Sequence, residues 1–113
     1  MAETDSWAEA QEFQITLDAQ GKIIDYLDNS IRRPNTPEER IRQKMVQIIH
    51  AEFGYPTSHI GLERGINMGR ETKRADIVIY NSSTACASND QGNIHIIAEV
   101  KGPTILDTDG QLN

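Results

Sequence analysis

The sequence predicts an α+β fold in which one helix packs on a mainly antiparallel sheet, preceded by a β-hairpin. Three observations predict it. A single stretch that begins near Thr36 combines helix-capping residues with helical periodicity. Three β-like segments follow it in succession, as the strands of a meander do. Before the helix, two apolar runs flank a short turn, which is typical of paired antiparallel strands.

The segment before the helix alternates apolar and polar residues. Phe13, Ile15 and Leu17 are separated by polar neighbours, and a second apolar run covers residues 23–27 after a turn that contains Gly21. Two such runs around a glycine-containing turn are typical of a β-hairpin. We therefore expect a hairpin at this position.

Chain length bounds the domain organisation. A chain of 113 residues builds one small domain. Residues 29–35, with two arginines and a proline, are typical of a connector. We expect residues 1–35 to form an N-terminal extension and residues 36–113 to form the core domain. Because the sequence ends in an acidic, glycine-containing stretch without a closing element, we also expect the core to be truncated at its C-terminal end.

The clearest helix signal begins at Thr36. Thr36 is a suitable N-cap, Pro37 occupies the first helical position, and Gly54 lies just past the expected end. One stripe of apolar residues follows the helical period, so we expect it to be buried. Its members are Ile41, Met45, Ile48, Ile49 and Phe53.

Three strands are expected after the helix, joined as an antiparallel meander. Residues 60–68 alternate weakly and contain glycines, which favours a bent or bulged strand. Residues 75–80 and 93–101 are stronger strand segments. The polar residues 81–92 between them predict a loop, in which we expect Cys86 to be exposed. One face of the last strand should carry Ile94, Ile96, Ala98 and Val100.

Charge is unevenly distributed along the sequence. The chain has 11 basic and 17 acidic residues, a formal net charge of -6 and a pI near 4.9, which excludes a uniformly basic nucleic-acid-coating protein. Residues 31–74 nevertheless hold nine of the basic residues. The candidates for phosphate contacts among them are Arg42, Arg70, Lys73 and Arg74. The alternative is that most of the nine are solvated helix and loop charges.

Simpler features exclude other classes of protein. A single cysteine allows neither an internal disulfide nor a cysteine-based zinc site, which favours a reducing compartment. No stretch is apolar enough to span a membrane, and the acidic start is unlike a leader sequence. The sequence has no P-loop motif, so nothing predicts nucleotide binding by these residues. We expect a cytoplasmic protein with no membrane partner.

Three ionisable residues near the end of the sheet indicate chemistry. Glu99 and Lys101 are two residues apart, so both side chains should leave the same face of a strand. Antiparallel pairing through the preceding loop would bring Asp76 opposite Glu99. Two adjacent carboxylates favour a divalent cation between them, and oxygen ligands favour Mg²⁺ or Mn²⁺. We therefore expect Asp76, Glu99 and the Val100 carbonyl to bind the metal. Lys101 would orient or activate the nucleophile in phosphodiester hydrolysis.

This cluster has an ordinary structural alternative. An aspartate followed by Glu-x-Lys occurs by chance in many charged sequences, and such pairs usually form solvated salt bridges. The context favours function, because Asp76 interrupts an apolar run and the Glu99–Lys101 pair ends one. Charges buried at such positions without a partner would cost several kcal/mol per ion, on the order of the stability of a small domain.

Glu39 on the helix has two possible roles. Arg42 and Gln43 lie three and four residues further on, so they share its helix face. Glu39 could project toward the proposed metal site. Alternatively, it could close a capping box with Thr36. The sequence leaves both roles open.

Four motifs occur in a fixed order along the sequence: Thr36-Pro-Glu-Glu-Arg-Ile-Arg-Gln43, Gly54-Tyr-Pro56, Lys73-Arg-Ala-Asp-Ile-Val-Ile-Tyr80 and Ile97-Ala-Glu-Val-Lys101. This series resembles the N-terminal nuclease domain of type I restriction enzyme R subunits, a family of the PD-(D/E)xK nuclease superfamily. The resemblance covers roughly residues 23–112 and is more specific than the acidic residues and lysine alone.

The resemblance implies a restriction-endonuclease-like core with assigned site residues. Asp76, Glu99 and Lys101 would be the catalytic triad, and Glu39 the helix acid of the superfamily. Gln111 would begin the glutamine-containing motif that follows the catalytic strand. The sequence departs from the family pattern in two respects: alanine precedes Asp76 where the superfamily name has proline, and the chain ends before the helix and strand that complete the αβββαβ core.

The resemblance also implies partners and cofactors. The family places this domain ahead of an ATP-dependent DNA translocase, so ATP would act only through that absent region. The expected partners are double-stranded DNA and the methylation and specificity subunits of a restriction-modification complex. The leading hypothesis is a Mg²⁺-dependent DNA endonuclease domain. The alternatives are a non-catalytic domain of the same fold that docks DNA or a subunit, and a stand-alone nuclease of the superfamily.

Overall fold

A computed structural model of the chain describes residues 13–101 and shows a small α+β fold. Within that range, the helices and strands in chain order are β1 (Ile23–Ile24), β2 (Arg32–Arg33), α1 (Pro37–Ala51), β3 (Ile60–Met68), β4 (Glu71–Tyr80), α2 (Ser83–Ser88) and β5 (Ile94–Ala98). None of its helices is long and apolar enough to cross a membrane.

The main sheet has the strand order β3-β4-β5, with both neighbouring pairs antiparallel, so the predicted meander is confirmed. β4 sits at its centre, where Ile77 lies opposite Leu62 on one side and Ala98 on the other. The strand limits differ from the prediction. β4 begins at Glu71 because Gly69, with a φ of +72°, turns the chain tightly enough to pair Met68 with Glu71.

β5 is shorter than the predicted strand 93–101 and ends at Ala98. Its pairing with β4 is irregular between Ile79 and Tyr80. Because a one-residue shift turns a side chain to the other face, Ile94 packs with the cluster around Tyr80, whereas Ala98 and Val100 pack with the cluster around Ile77. The prediction that Ile94 shares a face with Val100 was therefore wrong.

The predicted N-terminal hairpin is present only in part. Leu17 and Ile23 form an isolated antiparallel bridge, but β1 pairs with β2, which lies in the predicted connector. The buried Asp25 explains the difference. Its carboxylate accepts hydrogen bonds from the backbone amides of Leu27 and Asp28, which turns the chain back after only two strand residues.

α1 begins as predicted but ends at Ala51, before Phe53. Thr36 is the N-cap, and its hydroxyl accepts a hydrogen bond from the Glu39 amide at 3.1 Å. Gly54, with a φ of +79°, follows the helix end. The predicted apolar stripe was wrong in part: four members are half-buried and Phe53 is 70% exposed. The fully buried apolar residue is Val46. Most of the buried surface is polar, formed by Glu39, Arg42, Gln43 and Gln47.

The predicted loop 81–92 contains α2. Ser82 caps it by accepting a hydrogen bond from the Ala85 amide at 3.1 Å, and Asn89 ends it in the left-handed conformation. Ala85 and Cys86 pack against Val78 and other residues of the sheet. Cys86 is therefore buried rather than exposed as predicted, because the segment folds as a helix with an apolar face.

Candidate functional site

A polar cavity of about 200 Å³ lies between the start of α1 and the sheet, and we call it the Asp76 cavity. Four carboxylates and one guanidinium are among its lining groups. The complete lining consists of Thr36, Glu38, Glu39, Arg42, Glu63, Asp76 and Val100. The excess of carboxylates makes the cavity suited to a cation.

The carboxylate of Asp76 is fixed against the chain that leaves β5. The Val100 amide donates a hydrogen bond to Asp76 Oδ2 at 2.8 Å. The last register pair of β4 and β5 joins Ile77 to Ala98, so Asp76 and Val100 both lie just beyond the paired residues. Within residues 13–101, Oδ1 of Asp76 accepts no hydrogen bond.

Glu99 and Lys101 do not line the Asp76 cavity. Glu99 lines a neighbouring cavity of about 320 Å³, together with Lys73, Arg74 and residues of both sheet edges. Lys101 is exposed, two residues beyond Glu99. The hydrogen bond from Val100 therefore ties Asp76 to the chain after β5, and Glu99 lines the neighbouring cavity. The face alternation used in the sequence argument requires strand geometry, which ends at Ala98.

The described residues fit a magnesium ion only with help from other ligands. Among residues 13–101, no group of three or more His, Cys, Asp or Glu side chains is arranged to hold a metal. Mg²⁺, however, usually keeps several waters and takes only one or two carboxylates together with substrate phosphates. Asp76 and Val100, which line one cavity, meet that smaller requirement, and Glu99 directly precedes Val100 in the sequence.

Glu39 is buried in the wall of the cavity. Its carboxylate accepts hydrogen bonds from Arg42, with Nε at 3.1 Å, and from Gln43 Nε2 at 2.9 Å. The capping box is only half formed: the Glu39 amide caps onto Thr36, but the Thr36 amide donates to the Pro34 carbonyl instead of to the Glu39 carboxylate. The side chain of Glu39 thus serves the cavity wall.

The cavity wall belongs to a closed ring of polar side chains, all buried or half-buried except the exposed Glu63, which we call the charge ring. In order around the ring, its members are Asp25, Arg33, Glu63, Arg42, Glu39 and Gln43. Asp25 Oδ1 lies 2.6 Å from Arg33 Nε and 2.9 Å from Gln43 Nε2. Arg42 bridges Glu39 to Glu63, whose Oε2 is 3.1 Å away. Arg33 closes the ring at 3.9 Å from Glu63.

Electrostatics within the charge ring favour the ionised forms. The hydrogen bond from Arg42 lowers the pKa of Glu63 against the opposing effect of burial, and the charges of Arg42, Arg33 and Arg74 lower it further. Burial alone would lower the pKa of Arg42, but its hydrogen bonds and charge attraction to Glu39 and Glu63 raise it. The ring therefore keeps opposite charges paired beside the Asp76 cavity.

Sequence reasoning missed Asp25, Arg33 and Glu63. Asp25 carried a usable signal, because it interrupts the apolar run 23–27 as Asp76 interrupts its own strand. Glu63 carried no usable sequence signal. It lies opposite Asp76 in the strand register. Its φ of +53° is a rare conformation for a glutamate within a strand. Arg33 was placed in a connector.

The predicted phosphate-contacting residues fall into two groups. Arg42 is buried, with 6% of its side chain exposed, and is committed to two carboxylates, so it does not face solvent. Arg70, Lys73 and Arg74 are exposed on the β3–β4 hairpin. Gln43, an expected site residue, is buried and accepts a hydrogen bond from the Tyr26 amide at 2.8 Å. Gln111 lies outside the described residues.

Comparison with known proteins gives one match. The family model described as type I restriction enzyme R protein N terminus matches residues 37–113, which is more than half of the chain. No curated protein and no solved structure matches the chain. The matched range contains every lining residue of the Asp76 cavity except Thr36, and it excludes Asp25 and Arg33 of the charge ring.

Proposed function

The chain belongs to the family of type I restriction enzyme R protein N termini, and on that premise we propose that it is a nuclease domain that hydrolyses DNA phosphodiester bonds with a divalent metal. The observation that carries the proposal is the Asp76 carboxylate, held by the Val100 amide at 2.8 Å in a polar cavity. A fixed acid in a polar concave site, followed in sequence by a Glu-x-Lys run, supports a role in metal-assisted phosphodiester hydrolysis.

Asp76, Glu99 and the Val100 carbonyl would hold Mg²⁺ or Mn²⁺. When bound, such an ion supplies a Lewis acid and an activated water. The chain's own groups supply the rest. Lys101, exposed beyond β5, would orient or activate the attacking water. Arginines of the charge ring neutralise Glu39 and Glu63. Asp76, held next to Val100, is the lining carboxylate to which we assign the catalytic role.

The partners follow from the family. We propose double-stranded DNA as the substrate and a restriction-modification complex, with methylation and specificity subunits, as the assembly in which cleavage takes place. Exposed Arg70, Lys73 and Arg74 would contact DNA phosphates, because cations that neutralise phosphates release the counterions of the DNA and so favour the complex. ATP use would belong to the translocase region of a longer protein.

The test is cleavage of supercoiled plasmid by the assembled complex carrying Asp76→Asn. We expect loss of cutting with the fold retained, because the exchange keeps the shape and the acceptor for the Val100 amide. The matched control is Glu52→Gln, an exposed acid at the end of α1 that should cut like the parent. Full activity in Asp76→Asn would remove the catalytic assignment.

A second candidate function is a non-catalytic domain that docks DNA or a partner subunit. It is favoured by the separation of Glu99 from the Asp76 cavity and by the lack of a three-carboxylate group among residues 13–101. Calorimetric titration with Mn²⁺ separates the two. A nuclease site should bind the ion and lose it in Glu99→Gln, whereas a docking domain should show no heat that depends on this residue.

A further inference from the structure

The β3–β4 hairpin extends beyond the sheet, and we call residues 65–74 the hairpin arm. Four register pairs build it, from Gly65–Arg74 to Met68–Glu71, with the turn at Gly69. The pairing of β4 with β5 ends at Ile77, so β5 does not cover this stretch. Residues 67–74 are exposed on both faces. The arm is therefore a two-stranded ribbon about 13 Å long, given about 3.3 Å per residue.

Side-chain hydrogen bonds from residues after α2 support the base of the hairpin arm. The Asn89 side-chain amide donates to the Gly65 carbonyl at 2.9 Å, and the Gln91 side chain accepts from the Asn67 amide at 3.1 Å. Thr72 Oγ1 adds a hydrogen bond to Asn67 Oδ1 across the ribbon at 2.9 Å. These contacts hold the arm in one direction relative to the sheet, which lowers the entropy cost of inserting it into a partner.

The cations of the arm lie on more than one side. Lys73 is opposite Ile66 and Arg74 is opposite Gly65 in the register. Because successive strand residues point to opposite faces, the side chains of Lys73 and Arg74 leave the ribbon on opposite faces, and both residues also line the cavity that contains Glu99. Arg70 adds a third cation at the turn, and Glu71 is the one acid within residues 65–74.

The distribution of cations over both faces of the hairpin arm fits insertion into a DNA groove better than contact with a single DNA backbone. A surface that lies along one DNA strand needs cations on one face, whereas a ribbon inside a groove meets a phosphate wall on each side. The major groove of B-DNA is about 12 Å wide and admits a two-stranded β-ribbon. We infer that the hairpin arm enters the major groove of double-stranded DNA, with Lys73 and Arg74 facing phosphates on opposite walls. The inference rests on the proposed function, because it states how that function's substrate is held.

Arg74 connects the arm to the Asp76 cavity. Its NH2 lies 3.7 Å from Glu63 Oε1, and its side chain is 75% exposed. An exposed ion pair of this length contributes little, so a phosphate can replace Glu63 as the partner of Arg74. Because Glu63 lines the Asp76 cavity, a duplex that binds the arm carries its backbone past the proposed catalytic acid.

The test measures binding of the full chain to a short DNA duplex by fluorescence anisotropy over a series of salt concentrations. Arg70→Gln, Lys73→Gln and Arg74→Gln should each weaken binding about tenfold near 0.1 M salt and lower the salt slope by about one. Lys44→Gln, an exposed cation on α1, is the matched control and should bind like the parent. Unchanged binding in the three arm variants, or no measurable binding by the parent, would overturn the inference.

A second set of measurements identifies which groove of the DNA is bound. Methylation of guanine N7, which lies in the major groove, should reduce binding, and the minor-groove ligand netropsin should not compete. The reverse pattern would overturn major-groove insertion. Failure of the groove assignment can be told apart from failure of the proposed function, because Asp76→Asn should keep full DNA binding while losing cleavage. Arm variants that bind normally leave the nuclease proposal intact and remove only the groove assignment.

Discussion

The two halves of β4 lie in opposite environments although they form one continuous strand. Residues 77–80 are at most 2% exposed and pack on both faces of the sheet. Residues 71–74 are exposed and carry two of the three cations of the hairpin arm. Asp76, half-buried, lies at the junction. The comparison shows how one strand can fix an acid in a rigid frame and present basic groups to solvent within a few residues.

The difference arises from how charge is neutralised. Beside the buried half, every charged member of the charge ring has an opposite charge within 4.0 Å, so these groups can leave water. In the arm, Lys73 and Arg70 have no acidic partner among the described residues, and solvent screens them. Removing one partner of a buried pair destabilises the fold, and both partners are unavailable to ligands. An unpaired surface cation contributes little to stability but is free to bind phosphate.

The largest expected effect tests the buried side of the comparison. Asp25→Ala should lower the free energy of unfolding by about 3–5 kcal/mol, because it leaves the Arg33 guanidinium and two backbone amides without their buried acceptor. Urea denaturation measures the change. Asp28→Ala is the control: this exposed aspartate should cost less than about 1 kcal/mol. Equal losses in both variants would show that the charge ring does not stabilise the fold.

A pair of glycine substitutions in β3 sharpens the comparison. A Cβ at Gly61, in the buried half of the sheet, would lie 2.6 Å from Cζ of Arg64. Gly61→Ala therefore displaces the Arg64 guanidinium from the Cys86 carbonyl, which it contacts at 2.6 Å, and should cost about 1–3 kcal/mol.

Gly65 in the arm is the matched position. A Cβ there meets only a Thr72 methyl at 3.4 Å, so Gly65→Ala should leave stability within about 1 kcal/mol of the parent. Thermal unfolding of both variants measures the difference. A larger loss for Gly65→Ala than for Gly61→Ala would contradict the assignment of the arm as the loosely packed half.

Local signals predicted the elements well. The cap at Thr36, the position of Gly54 after the helix and the order of the three-stranded meander depend on neighbouring residues, and all three are present. Phe53 shows the limit of periodicity. It follows the helical repeat but lies past the end of α1, and it is 70% exposed.

The site was less accessible to sequence reasoning. The register argument correctly placed Asp76 beside the chain that follows β5, because antiparallel pairing is a local rule. It could not give the direction of Glu99, which lies beyond the last paired residue. The charge ring could not be predicted from the sequence either. It joins Asp25, Arg33 and Glu63 across three separate segments, and no periodic pattern encodes such pairings.

The smallest effect concerns Glu63, which lies between the two environments with 43% of its side chain exposed. The hydrogen bond and charge of Arg42 hold the pKa of Glu63 below its ordinary value of 4.5, against burial. A lowered pKa in the folded state means that the ionised form stabilises the fold at pH values above 4.5. That contribution is lost as the pH falls through the folded-state pKa.

Glu63→Gln should therefore be less stable than the parent at neutral pH, and the difference should shrink as the pH falls below 4.5. Urea midpoints measured for both proteins from pH 7 to pH 3 test this, because contributions from other carboxylates cancel in the difference. Glu71→Gln in the hairpin arm is the control, because it shows how removal of an exposed carboxylate changes the urea midpoint. A difference that stays constant with pH would mean that Arg42 does not bind the ionised Glu63. The charge ring would then be open at the residue that joins it to the hairpin arm.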